Sequence, residues 1–182
     1  MPKMLALNVV LALALLVGAA RDASAASGYE IDTDVDAALH RFYRTVGGSR
    51  ELVRDAAAVL VFPSVVKAGM GFGGEYGEGA LRRHGRTEAY YNTVSASVGF
   101  QLGVQARTVI ILFMTEEALG SFRRKHGWKV GVDGSVALVT VGVGGSVDTN
   151  QITKPVIGFI LDQKGLMYNL TLEGSKISRI DR

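Results

Sequence analysis

Five of the six odd positions from 69 to 79 are glycine: Gly69, Gly71, Gly73, Gly77 and Gly79, with Glu75 between them. The even positions carry Met70, Phe72, Gly74, Tyr76, Glu78 and Ala80. A helix would lose about 1 kcal/mol at each such glycine relative to alanine. A strand instead sends alternate residues to opposite faces, leaving one face of this segment almost bare. Glycine weakens a strand unless a close approach offsets the loss. The stretch therefore predicts glycine-rich β-structure, bent near Gly73-Gly74, with a backbone, an aromatic ring or a sharply coiled neighbouring strand against the bare face.

The same residues contain GMGFGG, literally G-x-G-x-x-G. A dinucleotide loop needs a strand immediately before it, a helix opening within it and an acid about 20 residues on. Pro63 separates the apolar run Val59–Phe62 from the first glycine, and Gly77 and Gly79 would lie inside the required helix. The packing role is the stronger reading.

Residues 1–25 read as a secretory signal peptide. Lys3 supplies a basic start, Met4 to Val17 is apolar except for Asn8, and Ala23-Ser24-Ala25 is an A-x-A cleavage site. Cleavage after Ala25 leaves residues 26–182, a length that suits a single domain with its own core. The formal net charge is +3, and losing Lys3, Arg21 and Asp22 lowers it by one. That is too little bulk charge for a nucleic-acid protein. Without cysteine the chain has no disulfide framework, thiolate metal site, thiol nucleophile or acylated cysteine anchor. The expected location is the periplasm, with any membrane attachment peripheral and non-covalent.

Val35, Leu39, Phe42, Tyr43 and Val46 fall on one helix face, after a loose start at 26–31 and an acidic run of Asp32, Asp34 and Asp36. Gly47-Gly48 ends this helix, and Ser49 is expected to cap a second one to about Ala57. From Val59 the pattern turns to strands. Ala96, Val98, Phe100, Leu102 and Val104 alternate with Ser95, Ser97, Gly99, Gln101, Gly103 and Gln105. Val109 to Met114 is continuously apolar, as in a strand buried on both faces. Thr115 caps a short helix with acids first, bases last and Gly127 beyond its end. Valine-rich strand follows from Asp133 to Asp148, then two strands about an Asp162–Gly165 turn and a tight turn at Glu173-Gly174-Ser175. The expected fold is α+β: two N-terminal helices packed on a strongly curved, mainly antiparallel, glycine-rich sheet, with closure into a barrel left open.

His40, His84 and His126 share no metal-binding spacing. Ser64 lacks a nucleophile elbow, and Asp133, Asp148 and Asp162 read as turn residues. No catalytic, cofactor or metal site is expected. Two basic clusters stand out: Arg82, Arg83 and Arg86 around His84, and Arg123, Arg124, Lys125 and Lys129 around His126 and Trp128. Either is solvated surface charge or a contact for anionic head groups. Trp128 is either an interfacial anchor or ordinary core.

AAVLVFPSVVKAGMGFGGEYGEGALR, YYNTVSASVGFQLGVQ, VIILFMTEEALGSF, GWKVGVDGSVALVTVGVGGSVDT and KGLMYNLTLEGSKI stand in order along the chain. Together these blocks resemble the SYLF-domain family, with its exported bacterial branch closest, over about Ser49 to Ile180. The resemblance implies lipid binding. Eukaryotic members bind phosphoinositides, and some bind actin through added segments that are missing here. An exported protein would not meet actin, so no actin partner is expected, and the family supplies no catalytic residues to carry over. The leading expectation is a non-enzymatic, membrane-surface protein contacting anionic phospholipid through Arg123, Arg124, Lys125, Trp128 and Lys129, with Arg82, Arg83 and Arg86 adding to the patch. The alternatives are a periplasmic ligand carrier or enzyme using a cavity in the sheet, and a structural or stress-related envelope protein. An integral barrel fits less well, because Val109–Met114 does not alternate and aromatic residues are few.

Overall fold

A computed structural model describes residues 26–139, 153–164, 172 and 174–182. The expected signal peptide, most of the valine-rich stretch after Val139 and the strand expected after Gly165 lie outside these residues. The fold is α+β, as expected, with a strongly curled, mostly antiparallel sheet that forms a half-barrel. Its described elements run in the order α1 (Gly28–Thr45), α2 (Ser49–Asp55), β1 (Ala58–Arg83), β2 (Arg86–Phe113), α3 (Glu116–Arg123), β3 (Trp128–Lys129), β4 (Ala137–Val139), β5 (Val156–Lys164) and β6 (Lys176–Ile180).

Helix α1 begins earlier than its apolar spacing predicts. The Ser27 hydroxyl accepts the Glu30 N–H, and the Glu30 carboxylate accepts the Ser27 N–H at 2.7 Å. This reciprocal cap satisfies two donors at the helix start, so the residues expected to be loose are helical from Gly28. Ile31, Val35, Ala38 and Phe42 are the buried face. Ser49 does not cap α2. Gly48 holds that position at φ 76°, and the Ser49 hydroxyl instead donates to the carbonyls of Val46 and Phe42.

β1 and β2 form one long hairpin, with Ala58 opposite Phe113 and Arg83 opposite Arg86. Its tip, His84-Gly85, has positive φ at both residues (49° and 77°), as a two-residue turn matching strand twist requires. The free edge of β2 pairs with β6 over 90–94 and with β5 over 106–113. β3 extends the sheet beyond β6, and β4 lies parallel to β5. Asp162 lies within β5, so the strand runs past the turn expected there.

Bulges near 62–65 and 70–72 of β1 help coil the hairpin back on itself. The bare glycine face is where the coil closes. A methyl group on Gly77 would lie 2.8 Å from the Ser64 carbonyl, and one on Gly79 would overlap the Val61 carbonyl. The neighbour sought for this face is therefore the earlier part of β1. GMGFGG lies wholly inside the strand, and no helix follows it.

Where the hairpin tip curls back onto the hairpin's base at 58–62 and 109–113, the sheet is covered on both faces. Leu60, Phe62, Leu81, Ile111 and Phe113 pack inward with Leu119, Phe122 and Trp128. Val59, Val61, Ala80, Ile110 and Leu112 pack against α1 and β5. This two-sided burial is why Val109–Phe113 is apolar without alternation.

Candidate functional site

Helix α3 brings the two basic clusters into one neighbourhood. Thr115 caps it by accepting the Ala118 N–H at 3.2 Å, and Glu116 and Glu117 occupy its first turn. Leu119 and Phe122 are buried beneath it. The hairpin reaches both of its ends: Arg83 pairs with Glu116, and Glu88 accepts from Arg123. An eight-residue helix is about 12 Å long, which sets the span between these two ion pairs.

Arg82 and Arg83, adjacent on a strand, point to opposite faces. Arg82 turns to α1, where it lies 2.8 Å from the Asp36 carboxylate and 3.2 Å from the Asp32 carbonyl. Thr87 and Tyr90 also donate to the Asp32 carboxylate, at 2.6 and 3.1 Å. Burial and the Asp32 hydrogen bond push the Tyr90 phenol above its ordinary value. Arg82 is thus a tie between hairpin and helix, with its side chain 12% exposed, and does not face outward as a head-group contact would. Arg86 is exposed beyond the turn.

Trp128 is 2% exposed, and its ring meets Phe122 edge-on at 5.6 Å and Phe113 at 6.4 Å. This corrects the interfacial-anchor expectation. Pairing of β3 with β6 turns the indole into the core, while the neighbouring Lys129 side is exposed. Lys125 pairs with Asp133 at 3.1 Å, and Asp133 also accepts the Lys129 N–H at 2.8 Å. That backbone hydrogen bond, with Lys125 beside it, holds the Asp133 carboxyl below its ordinary value. Arg124 and the Lys129 side chain are exposed.

A groove of about 610 Å³ lies between the start of β2, the end of α3 and β6, and Arg123, Lys125, Arg179 and Glu88 line it together with His126 and Ser178. Three permanent cations thus line it with the Glu88 carboxylate, while Asp133, outside the lining, pairs with Lys125. Tyr91, opposite Arg179 in the ladder, forms part of its wall, and burial pushes its phenol up despite that guanidinium. Gly127 has φ 92°, and a side chain there would collide with Lys176 beside the groove. Arg179 and Ser178 escaped the sequence reading because they enter through β6, paired with β2 across some 90 positions of chain. Among the described residues, no group of three or more His, Asp or Glu side chains is placed to hold a metal ion.

A second charged cluster was also unforeseen. Inside the curl, Arg107 donates to Glu75 at 2.7 Å, and the Lys67 ammonium lies 3.6 Å from the other Glu75 oxygen. Their side chains are 4%, 9% and 12% exposed, respectively.

These features define an α+β half-barrel with a cation-lined groove at one end and an internal ion triad at the other. Residues 94–181 match the family model described as Ysc84: Las17-binding protein actin regulator. Over that segment, which carries most of β2 and everything after it, the chain matches the SYLF-domain family. The first of the five blocks lies ahead of the match. The family is tied to lipid binding and actin regulation. A search of curated proteins returned no match.

Proposed function

We propose that the protein is a non-enzymatic, exported, peripheral lipid-binding protein of the periplasm, which meets anionic phospholipid through the groove between α3 and β6. The observation that supports this most is the convergence of Arg123, Lys125 and Arg179 on one groove, where Glu88 pairs with Arg123 and Asp133 with Lys125. Guanidinium groups suit a phosphate, offering paired donors in a fixed plane. Ser178 supplies a hydroxyl to the same groove. Arg124 and Lys129 are exposed nearby and add long-range attraction. The word actin in the family description does not carry over, since an exported chain would not meet actin.

The test is co-sedimentation with phosphatidylglycerol-containing vesicles at two salt concentrations. Each base near an anionic surface contributes about 1 kcal/mol. Replacing Arg123, Lys125 and Arg179 by alanine is expected to weaken binding about a hundredfold at low salt. Wild-type binding is also expected to fall as salt rises. Equal binding by the triple variant would remove the groove from the mechanism.

A further inference from the structure

The β1–β2 hairpin changes polarity along its length. Where the tip meets the base of the hairpin, apolar side chains fill the inside of the curl. Away from the tip, the inner positions carry Lys67, Glu75, Thr93, Gln105 and Arg107, all buried or nearly so. The outward positions of the same segments carry Val66, Ala68, Gly74, Tyr76, Val94, Ala96 and Val104. Val104 is 70% exposed, Tyr76 48%, Val94 45% and Val66 41%. Three of these positions pair across the ladder with outward partners: Ala68 with Val104, Gly74 with Ala96, and Tyr76 with Val94.

We propose that this outward face enters the acyl region of a lipid bilayer, to a shallow depth. The proposal rests on the membrane-surface reading and adds a second, apolar contact to it. Three observations favour lipid over another protein as the occupant. The described outward residues between 66 and 76 and between 94 and 106 include no ionisable group except the Tyr76 phenol, so the face offers hydrocarbon an uncharged surface. The charges of these segments are turned inward and paired with one another, an arrangement that hydrocarbon demands and a protein partner does not. Tyr76 places an apolar ring outward while its hydroxyl donates to Glu78 at 2.5 Å, as suits a residue at the water–lipid boundary. A groove of about 820 Å³ along this face is lined by Val66, Ala68, Tyr76 and Val94, and its charged lining residues are Asp34, Glu75 of the triad and the Glu78–Arg182 ion pair, so acyl chains have room against its apolar part. Depth is limited because, among the described residues, β1 pairs with β2 alone, and an unpaired sheet edge is costly in the bilayer core.

The chain has no cysteine, so single cysteines can be introduced and labelled with an environment-sensitive fluorophore. Val104→Cys reports on the outward face. Gly47→Cys, in open space beyond the far end of the 18-residue α1, is the control. Vesicles of phosphatidylglycerol and phosphatidylcholine carry a nitroxide on the acyl chain. The expected result is strong quenching at position 104 and none at 47. A Val66→Asp, Val104→Asp double variant is expected to lose at least about tenfold in binding to pure phosphatidylcholine vesicles at high salt. It keeps the salt-sensitive binding that the Arg123, Lys125, Arg179 variant loses. Sedimentation with vesicles but no quenching at 104 would overturn the insertion and leave the basic groove standing. A label response at 104 that grows with protein concentration in the absence of vesicles would overturn it in favour of a second copy as occupant. Failure to sediment with any vesicle would overturn both readings.

Discussion

The curl has two ends, a tip end where the tip of the hairpin meets its base and another formed by the middle of the hairpin; both are built from the same two strands and the same ladder, yet they bury opposite kinds of side chain. At the tip end, Leu60, Phe62, Ile111 and Phe113 fill the curl, and helices α1 and α3 take up the remaining apolar surface. At the other end, Glu75, Lys67 and Arg107 fill the curl while valines face out. Strand alternation permits either arrangement, because a shift of one position exchanges the faces. On the proposal that the outward face enters lipid, what distinguishes the ends is the medium they meet. The tip end is an ordinary protein core with helical cover. Among the described residues, the other end pairs its charges internally and has no helix over its apolar face, an arrangement that is favourable where that face meets something apolar.

The internal triad offers the strongest way to break this contrast. Removing one partner of a buried ion pair leaves an uncompensated charge, at a cost of about 3–5 kcal/mol. Glu75→Gln is therefore expected to lower stability by that order in denaturant unfolding, since both cations lose their counter-charge. A change within about 0.5 kcal/mol, the range of ordinary surface substitutions, would mean that the inner face is open to water and that the polarity reversal is superficial.

Next in size are the glycines that let the coil close. Gly79→Val drives a branched side chain into the Val61 carbonyl, where backbone must move. About 3 kcal/mol of destabilisation is expected, the upper end of overpacking. Gly77→Val meets the Ser64 carbonyl and Val65 less severely and is expected to cost about 1–3 kcal/mol. Gly74 has only the Ser95 carbonyl at 3.8 Å, so Gly74→Ala on the outward face is expected to be near neutral. Thermal midpoints of the three variants check the order, and equal midpoints would contradict the self-packing of β1.

The smallest effect concerns acid. Burial opposes the charge on Glu78, but hydrogen bonds from Arg182 and Tyr76 outweigh it and hold the carboxyl below its ordinary value. A carboxyl depressed in the folded state contributes stability above its unfolded value and loses it as pH falls through the folded one. The tie between the C-terminus and β1 is thus expected to weaken below the ordinary glutamate range. Arg182→Ala is expected to flatten that part of the stability–pH profile, and an unchanged profile would remove this tie from the account.

Much of the tip end was legible in sequence, and little of the other end was. The 35–46 helix face, the two-sided burial of Val109–Phe113 and the Thr115 cap are local patterns, and the structure follows them. Ser27-x-x-Glu30 was an equally local signal of the α1 start and was passed over. The fate of Arg82 and Arg83 was half visible: period 2 separates them, but their partners lie on α1 and α3. Glu75 and Arg107 are 32 positions apart, and nothing local says that the curl will bring them together. Trp128 among bases looks interfacial until β3 is paired with β6, which turns the ring inward. Apart from the Ser27 cap, each of these misses turns on a pairing between distant segments, which short-range pattern does not encode.

The most direct test of the contrast is backbone hydrogen exchange of the protein with and without phosphatidylglycerol–phosphatidylcholine vesicles. The account predicts added protection over 64–76 and 94–106, and a smaller gain beside the groove at 123–127 and 176–179. The tip-end core at 58–62 and 109–113, already covered on both faces, is expected to stay unchanged. Vesicle-bound protein whose added protection falls on the tip end or on α1, with 64–76 and 94–106 exchanging as they do in water, would contradict it.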